Sequence, residues 1–493
     1  MKIISAVSEC APFVKSGGLA DVAGALPKEL SLLGIETAVI MPKYSLIAEG
    51  FRKRMAKIAE CEVSVGWRRQ YCGIEVLEHD GVSYYFIDNE YYFKRDTLYG
   101  HDDDGERFAF FSRAVLEALY TLDMAVDVIH THDWHAAMIN YLLKEDYGKR
   151  PFYQNMKTVF TIHNLQFQGI FPKEAVSDLL GLDFPHFTPE TLEFYGNVNY
   201  MKGGIIAADQ VTTVSPTYRD EILTPYYGER LEGVLSERRH VLTGILNGID
   251  ESVYDPLYDP DIDYHYDAEN RAGKRKNKAV LQQMMGLPER EDIPVVGMVT
   301  RLTKQKGIDL IKRVLHELFE EEEMQLIVLG SGETEFENYF RYMEYAYPEQ
   351  CRAHIGFSEQ RSRKIYAGSD LFLMPSKFEP CGLGQLIALK YGAVPIVRET
   401  GGLNDTVSAF QEKTGEGNGF TFAHFNAHDM KHTIKRALFF YRQKGVWNGI
   451  VQKGMTQDVS WAESARRYQR IFDRVIKGDA SCSRAKTALN NAF

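Results

Sequence analysis

The sequence predicts an α/β protein made of two doubly wound, Rossmann-like domains, each a parallel sheet with helices on both faces. Three observations predict it. Short apolar runs of strand length alternate with helical segments along most of the chain. The alternation starts at residue 3 and begins afresh past residue 240. Each half carries a Gly-Gly pair where a strand turns into a helix, in Lys15-Ser-Gly-Gly-Leu-Ala-Asp21 and in Glu399-Thr-Gly-Gly-Leu-Asn-Asp405.

In the first half, residues 3–7 are an apolar strand and 9–18 a loop with Pro12 and the Gly17-Gly18 pair. Residues 19–33 have helical periodicity, and Gly34 suits a helix stop. Residues 37–41 are the next strand, closed by Pro42. Further strands are expected at 126–130, 158–162 and 211–214, with Asp133-Trp134-His135 turning into a helix. In the second half, strands are expected at 293–299, 325–329, 370–374 and 394–397, and helices at 307–320 and 383–391. Residues 255–278 are polar, Tyr- and Asp-rich and then basic, and are expected to be a surface connection. Residues 459–477 are helical, and the tail from Gly478 looks frayed. These elements place domains at 1–242 and 243–458, with 459–493 as a final helix and tail. Ligands of open α/β sheets sit at the carboxyl ends of strands, so the two Gly-Gly loops are expected in one interdomain cleft.

The 493 residues are 44% hydrophobic and 25% charged, which excludes disordered and fibrous classes. The 57 Lys and Arg against 68 Asp and Glu leave a net charge of −11, so nucleic acid is not an expected partner. A local basic pocket for a small anion stays open. No apolar run approaches the roughly 18–20 residues that span a bilayer, so no membrane partner is expected. The first residues are too few and too soon charged, at Glu9, for a signal peptide. The six cysteines, Cys10, Cys61, Cys72, Cys351, Cys381 and Cys482, include no CxxC pair. A reducing compartment, and hence a cytoplasmic location, is the expectation.

Glycine lets backbone approach a ligand closely, and N–H groups at a helix start attract anions. A tight turn explains one Gly-Gly pair without a ligand; two at equivalent places favour a ligand. Lys15 and Asp21 add one charge of each sign to the first loop. In Arg301-Leu-Thr-Lys-Gln-Lys306-Gly307, Arg301 can bind phosphate oxygens as a fork and Lys306 as a point charge. A solvated basic loop is the alternative. Glu379, in Pro375-Ser-Lys-Phe-Glu379-Pro-Cys381-Gly382, is either a sugar-hydroxyl acceptor or a helix-capping carboxylate. His130, His132 and His135 straddle a strand end and a turn, without the i, i+4 spacing of a helical metal pair. No metal is expected there; a sugar-facing corner with Trp134 packed below is. His163 and Asn164 close another strand, where a satisfied core histidine is the alternative. Asp102-Asp103-Asp104, between Gly100 and Gly105, is expected to be a solvated loop.

Seven of these motifs occur in one order: Lys15-Ser-Gly-Gly-Leu-Ala-Asp21-Val, His132-Asp-Trp-His135, Ile162-His-Asn-Leu165, Asn247-Gly-Ile-Asp250, Arg301-Leu-Thr-Lys-Gln-Lys-Gly307, Glu379-Pro-Cys-Gly382 and Thr400-Gly-Gly-Leu403. In that order the chain resembles bacterial glycogen synthases and plant starch synthases over residues 1 to about 475. The resemblance implies a GT-B fold whose final helix crosses back onto the first domain. It implies glucose transfer from ADP-glucose to the non-reducing end of an α-1,4-glucan such as glycogen. That transfer would retain configuration and use no metal or cofactor. The first domain would hold the acceptor and the second the sugar nucleotide, with domain closure completing the site.

Carried over residue by residue, the resemblance implies that Lys15 meets the sugar nucleotide, with Gly17, Gly18 and Asp21 among the substrate-binding residues. Arg301 and Lys306 would hold its phosphates, and Gly401 and Gly402 would sit against them. Glu379 would bind glucose hydroxyls, with His163 and Asp133 beside the transferred sugar. His135, Asn164, Asn247, Cys381, Gly382 and Thr400 would complete the substrate contacts. Two departures stand out. Ser16 replaces the usual Thr and keeps the hydroxyl; Gly384 replaces a Thr and removes one. Glu379 is the nearest candidate nucleophile but is assigned to hydroxyl binding, so front-face attack is expected, with the leaving phosphate taking the acceptor's proton. A GT-B epimerase or phosphorylase, and a non-catalytic glucan-binding protein, are the alternatives.

Overall fold

The computed structural model describes residues 1–478, so the tail beyond Gly478, with Cys482, lies outside the described residues. The chain divides into two compact units. Unit 1 holds Met1–Val214, Arg219–Asn247 and the segment from Trp461 onward; unit 2 holds Ser215–Tyr218 and Gly248–Ser460.

Unit 1 is built on a nine-stranded sheet. Its strands are β1 (Lys2–Ala6), β2 (Glu36–Pro42), β3 (Ala56–Val65), β4 (Arg68–His79), β5 (Val82–Asp88), β6 (Val128–His132), β7 (Lys157–Ile162), β11 (Gln210–Thr213) and β12 (Leu242–Gly244). A small antiparallel sheet of β8 (Ile170–Pro172), β9 (Glu193–Phe194) and β10 (Asn197–Asn199) lies between β7 and β11 in the chain. The large sheet runs β12-β11-β7-β6-β1-β2-β5-β4-β3. All its neighbours are parallel except β3–β4 and β4–β5. The chain leaves β1 toward β2 on one side and returns to β6 on the other. That reversal opens a crevice past the carboxyl ends of β1 and β6.

The core under this crevice joins distant sequence. The helix Gly18–Leu32 turns Val22, Ala25, Leu26 and Leu30 onto Ile3, Val128 and Val159. The final helix Ala462–Lys477 adds Ala465, Tyr468, Ile471 and Phe472, with Trp461 just before it. Their three- and four-residue spacing makes one apolar stripe, so this helix belongs to unit 1 although the chain has just left unit 2. Each such buried large side chain contributes about 1.5–3 kcal/mol.

Unit 2 is a six-stranded, wholly parallel sheet: β13 (Val295–Val299), β14 (Gln325–Gly330), β15 (Cys351–Ile355), β16 (Leu371–Met374), β17 (Val394–Arg398) and β18 (Phe420–Phe422). The order β15-β14-β13-β16-β17-β18 reverses between β13 and β16. The loops past those two strands are therefore where a ligand of this unit belongs.

Three expectations need correction. Residues 255–278 are not a surface connection: Ile262 and Tyr266 are in the core of unit 2, and the helix Ala272–Met285 starts inside the segment. Lys278 is buried there against Asp370 at 2.8 Å. The acidic run at 102–104 is not simply a solvated loop, because Asp104 opens the helix Asp104–Thr121 and is buried. Its carboxylate accepts from the Gly100 N–H at 2.8 Å and from Arg107 at 2.5 Å. The strand expected at 126–130 lies at Val128–His132, which puts His130 and His132 inside it. Among the described residues no helix is long and apolar enough to cross a membrane.

Candidate active site

Past β1, the chain turns at Glu9. The buried carboxylate accepts the Ser16 N–H at 2.5 Å, so it shapes the Gly-Gly loop from within. Burial, partly offset by that Ser16 bond, pushes its pKa up to about 7. On the outer side Lys15 Nζ donates to Asp21 Oδ1 at 2.8 Å, across the start of the helix Gly18–Leu32.

Past β6 and β7 a second constellation forms. Asp133 has φ +54, a left-handed conformation rare outside glycine. That turn points its Oδ1 at the end of β7, where it accepts the His163 N–H at 2.8 Å and the Asn164 N–H at 3.4 Å. Burial raises the Asp133 pKa to about 7, against the lowering effect of those two bonds. Asn164 Oδ1 accepts the Gln166 N–H at 3.0 Å and tightens the following turn.

Three histidines line up behind this corner. His130 Nε2 bonds Thr161 Oγ1 at 2.7 Å, its ring lies 4.0 Å from that of His132, and His132 Nδ1 meets His163 Nε2 at 2.9 Å. Burial lowers the pKa of His130 and of His163 to about 3 and holds His132 well below the usual histidine range. All three are therefore neutral near pH 7. A neutral His163 can serve there as a hydrogen-bonding group. His135 is also buried and neutral, packed against Tyr99 at 4.4 Å, Phe108 at 4.7 Å and Trp134 at 4.1 Å.

In unit 2 the loops past β13 and β16 meet. Lys306 Nζ donates to Glu379 Oε2 at 2.6 Å, and Ser376 Oγ donates to the same oxygen at 2.9 Å. Glu379 is only 6% exposed. Arg301 is exposed, with Nη2 at 3.4 Å from Gln305 Oε1. Gln305 in turn accepts the Lys377 N–H on its carbonyl at 2.8 Å, which ties the two loops together.

The second Gly-Gly pair has a packing reason. Gly401 has φ +46, and a Cβ there would lie 1.9 Å from the Glu379 carbonyl oxygen; one at Gly402 would lie 2.1 Å from that of Cys381. The Gly402 N–H donates to the carbonyls of Glu379 and Pro380, both at 3.1 Å. So the pair seats the Glu379 loop, and the Gly402 N–H is already engaged. The helix that follows, Gly401–Thr406, has six residues and little macrodipole to offer a phosphate.

Comparison with known proteins decides the family. The family model described as the starch synthase catalytic domain matches residues 2–237, and that of glycosyl transferases group 1 matches 282–439. The glycogen synthase of Bacillus licheniformis is 79% identical over 480 residues, 97% of this chain and 99% of that protein. That of Bacillus subtilis is 66% identical over 477 residues, with 97% and 99% covered. The chain belongs to the glycogen synthase family. Among solved structures, the catalytic domain of starch synthase IV from Arabidopsis thaliana, bound to ADP and acarbose, superposes on this glycogen synthase-family chain with a TM-score of 0.90. It shares 33% identity, with 97% of this chain and 99% of that one covered. A sucrose-phosphate synthase from Thermosynechococcus elongatus, at 16% identity and a TM-score of 0.61 over 97% and 100% of the two chains, shares the fold. The fold is GT-B, with two α/β domains on parallel sheets.

In this glycogen synthase-family chain the structure brings together Lys15 with Asp21, Asp133 with His163 and Asn164, and Lys306 with Glu379. It buries His135, Asn247 and Cys381, leaving them 7%, 6% and 5% exposed. Among the described residues Asn247 Oδ1 and His135 Nδ1 find no protein partner. Thr400 is also buried, at the start of the Gly401 helix. Sequence reasoning missed Glu9 and Ser376. Glu9 had a signal: a carboxylate three residues past the first strand, seven before the loop it holds. Ser376 had none.

Proposed function

We infer that the protein is a glycosyltransferase that moves glucose from ADP-glucose to the non-reducing end of an α-1,4-glucan. The transfer retains configuration and needs no metal or cofactor. The observation that carries the reading is the pair of cations Arg301 and Lys306 with Glu379, on the loops past β13 and β16 at the switch point of unit 2. The names of the relatives, and the ADP held by the matched starch synthase, support it.

Breaking the bond from the anomeric carbon to ADP puts negative charge on the leaving diphosphate. Lys306 is fixed in place by Glu379 before substrate arrives, so its charge needs no reorganisation. Arg301, exposed and loosely held, closes on the phosphates as a fork. Glu379 keeps Lys306 and Ser376 on one oxygen, leaving its other oxygen to accept glucose hydroxyls. Gly382, Cys381, Thr400, Gly401 and Gly402 frame that loop. In unit 1, neutral His163, with its N–H held by Asp133, takes a sugar hydroxyl, and Asn164 and His135 add substrate contacts. Lys15, Gly17, Gly18 and Asp21, with Asn247, hold the remaining substrate contacts. Retention follows from attack on the face the diphosphate leaves, the leaving phosphate oxygen taking the acceptor's proton. The protein works on glucan in the cytoplasm, as its glycogen synthase relatives support.

The test is transfer of labelled glucose from ADP-glucose or UDP-glucose, with and without glycogen, in EDTA. Label in α-1,4-linked polymer from ADP-glucose, with EDTA present, is the expected result. Label from UDP-glucose alone overturns the donor. Loss of transfer in EDTA, restored by a divalent ion, overturns metal independence.

A further inference from the structure

The far edge of the unit 1 sheet carries a feature that glucosyl transfer does not use. β3 and β4 form an antiparallel hairpin, with β3 as the outermost strand. In its register Cys61 stands directly opposite Cys72, so both thiols share one face of the hairpin. The helix Asp104–Thr121 packs against β3 and ends at Thr121, beside Cys61. The two thiols lie close enough to interact, the Cys72 thiol also facing the Gly73 carbonyl at 4.0 Å, and neither is in a disulfide. Cys72 is buried and Cys61 is half-buried, so one sulfur of the pair is within reach of a small solute.

We propose that Cys61 and Cys72 are an oxidisable dithiol, a modification site that takes a hydroperoxide as its oxidant and closes to a cross-strand disulfide. Geometry supports it first. Residues directly opposite in an antiparallel pair have Cα atoms about 4.5–5.5 Å apart, inside the roughly 4.4–6.8 Å that a disulfide spans. Their Cβ atoms, about 4.5–5.5 Å apart, must close toward about 3.8 Å. The bridge is therefore strained, and a strained bridge is readily reduced again.

The chemistry is divided between the two sulfurs. The Cys72 thiol, by donating to Cys61, lowers the Cys61 pKa from its ordinary value in spite of burial, and Thr121 adds to the effect. Cys72 is raised by its bond to Cys61 and by burial. Cys61 is thus the attacking thiolate. Its sulfur forms a bond to the terminal peroxide oxygen, the O–O bond breaks, and the alkoxide leaves as the alcohol. Cys61 is then a sulfenic acid. The Cys72 sulfur attacks the Cys61 sulfur, the S–S bond forms, the S–O bond breaks, and hydroxide leaves with the Cys72 proton as water. Two electrons pass from the two thiols to the peroxide. Reduction by a small dithiol reverses the step.

Trypsin cuts after Arg68 and Arg69, between the two cysteines, so the bridge joins peptides 58–68 and 70–94 that otherwise separate. The full chain is treated with one equivalent of hydrogen peroxide, alkylated unfolded, and digested without reductant. The joined peptides are expected, lost on dithiothreitol treatment, while Cys10, Cys351 and Cys381 stay alkylated. Cys72→Ser is expected to halt at the sulfenic acid, trapped on Cys61 by dimedone. Cys61→Ser is expected to yield neither product. Alkylation of both Cys61 and Cys72 after oxidation overturns the proposal. So does a bridge from Cys61 to any other cysteine, or equal dimedone labelling of Cys72 in Cys61→Ser.

Discussion

Replacing Lys306 by Met tests the proposed charge stabilisation and its structural cost separately. Lys306 and Glu379 have side chains only 15% and 8% exposed, and their ion pair is 2.6 Å long. Removing the cation leaves the Glu379 carboxylate with the Ser376 hydroxyl as its side-chain donor. Breaking one side of such a buried pair costs about 3–5 kcal/mol. Removing one preorganised charge stabiliser costs a further barrier of about 2.7–4 kcal/mol, or roughly a hundred- to a thousand-fold in kcat. Glu379→Gln in the Lys306→Met background removes the stranded charge. The double variant should therefore recover most of the lost melting temperature and none of the lost kcat. Thermal melts with initial rates of glucose transfer from ADP-glucose read both quantities. A Lys306→Met variant that keeps kcat within about threefold of wild type, a loss well under 1 kcal/mol, rules out charge stabilisation by Lys306. So does a double variant that regains activity together with stability.

Other consequences follow from the same contacts. Gly401→Ala places a methyl 1.9 Å from the Glu379 carbonyl at φ +46, so unit 2 should lose about 1–3 kcal/mol or more, read as a lower melting midpoint; an unchanged midpoint contradicts the packing. Ser376→Ala removes one of two donors to Glu379 and should cost about 1–3 kcal/mol, measured by urea unfolding. Glu9 binds its proton more tightly folded, at about 7, than unfolded, at 4.5, so its contribution to stability is present below pH 4.5 and lost as pH rises through 7. Glu9→Gln should abolish that part of the slope, and a slope that steepens instead, in melts taken from pH 4 to 8, counts against the burial account. His130 runs the other way: its folded pKa of about 3 lies below 6.5, so it contributes stability above pH 6.5 that is lost as pH falls toward 3. His130→Gln should soften acid unfolding over that window, as followed by tryptophan fluorescence.

Much of this molecule is legible in its sequence because local chemistry decides it. The apolar runs that became β1, β2, β7, β13, β14 and β17 are buried on both faces, so their strands read without a partner. The Gly-Gly turns and the Lys306 and Glu379 loops were legible because they follow such strands. The β3–β4 hairpin was not. Its outer strand alternates poorly, is largely exposed at residues 56–62, and slips register between Lys57 and Ala59. Residues 255–278 misled for a related reason: Tyr266 and Lys278 are buried by Tyr391 and Asp370, more than 90 positions away.

By itself, then, the sequence determined the fold class, the parallel strands at the heart of both sheets and the motifs at their ends, since periodicity and glycine placement are local properties. Tertiary structure decided the rest. It set Glu9 under the first glycine loop and stacked His130, His132 and His163 into a neutral row. It coupled Lys306 to Glu379 across 73 residues and put Cys61 opposite Cys72. Each of those depends on strand order and burial, which remove water and bring distant charges into contact, and neither is written in any short stretch of the chain.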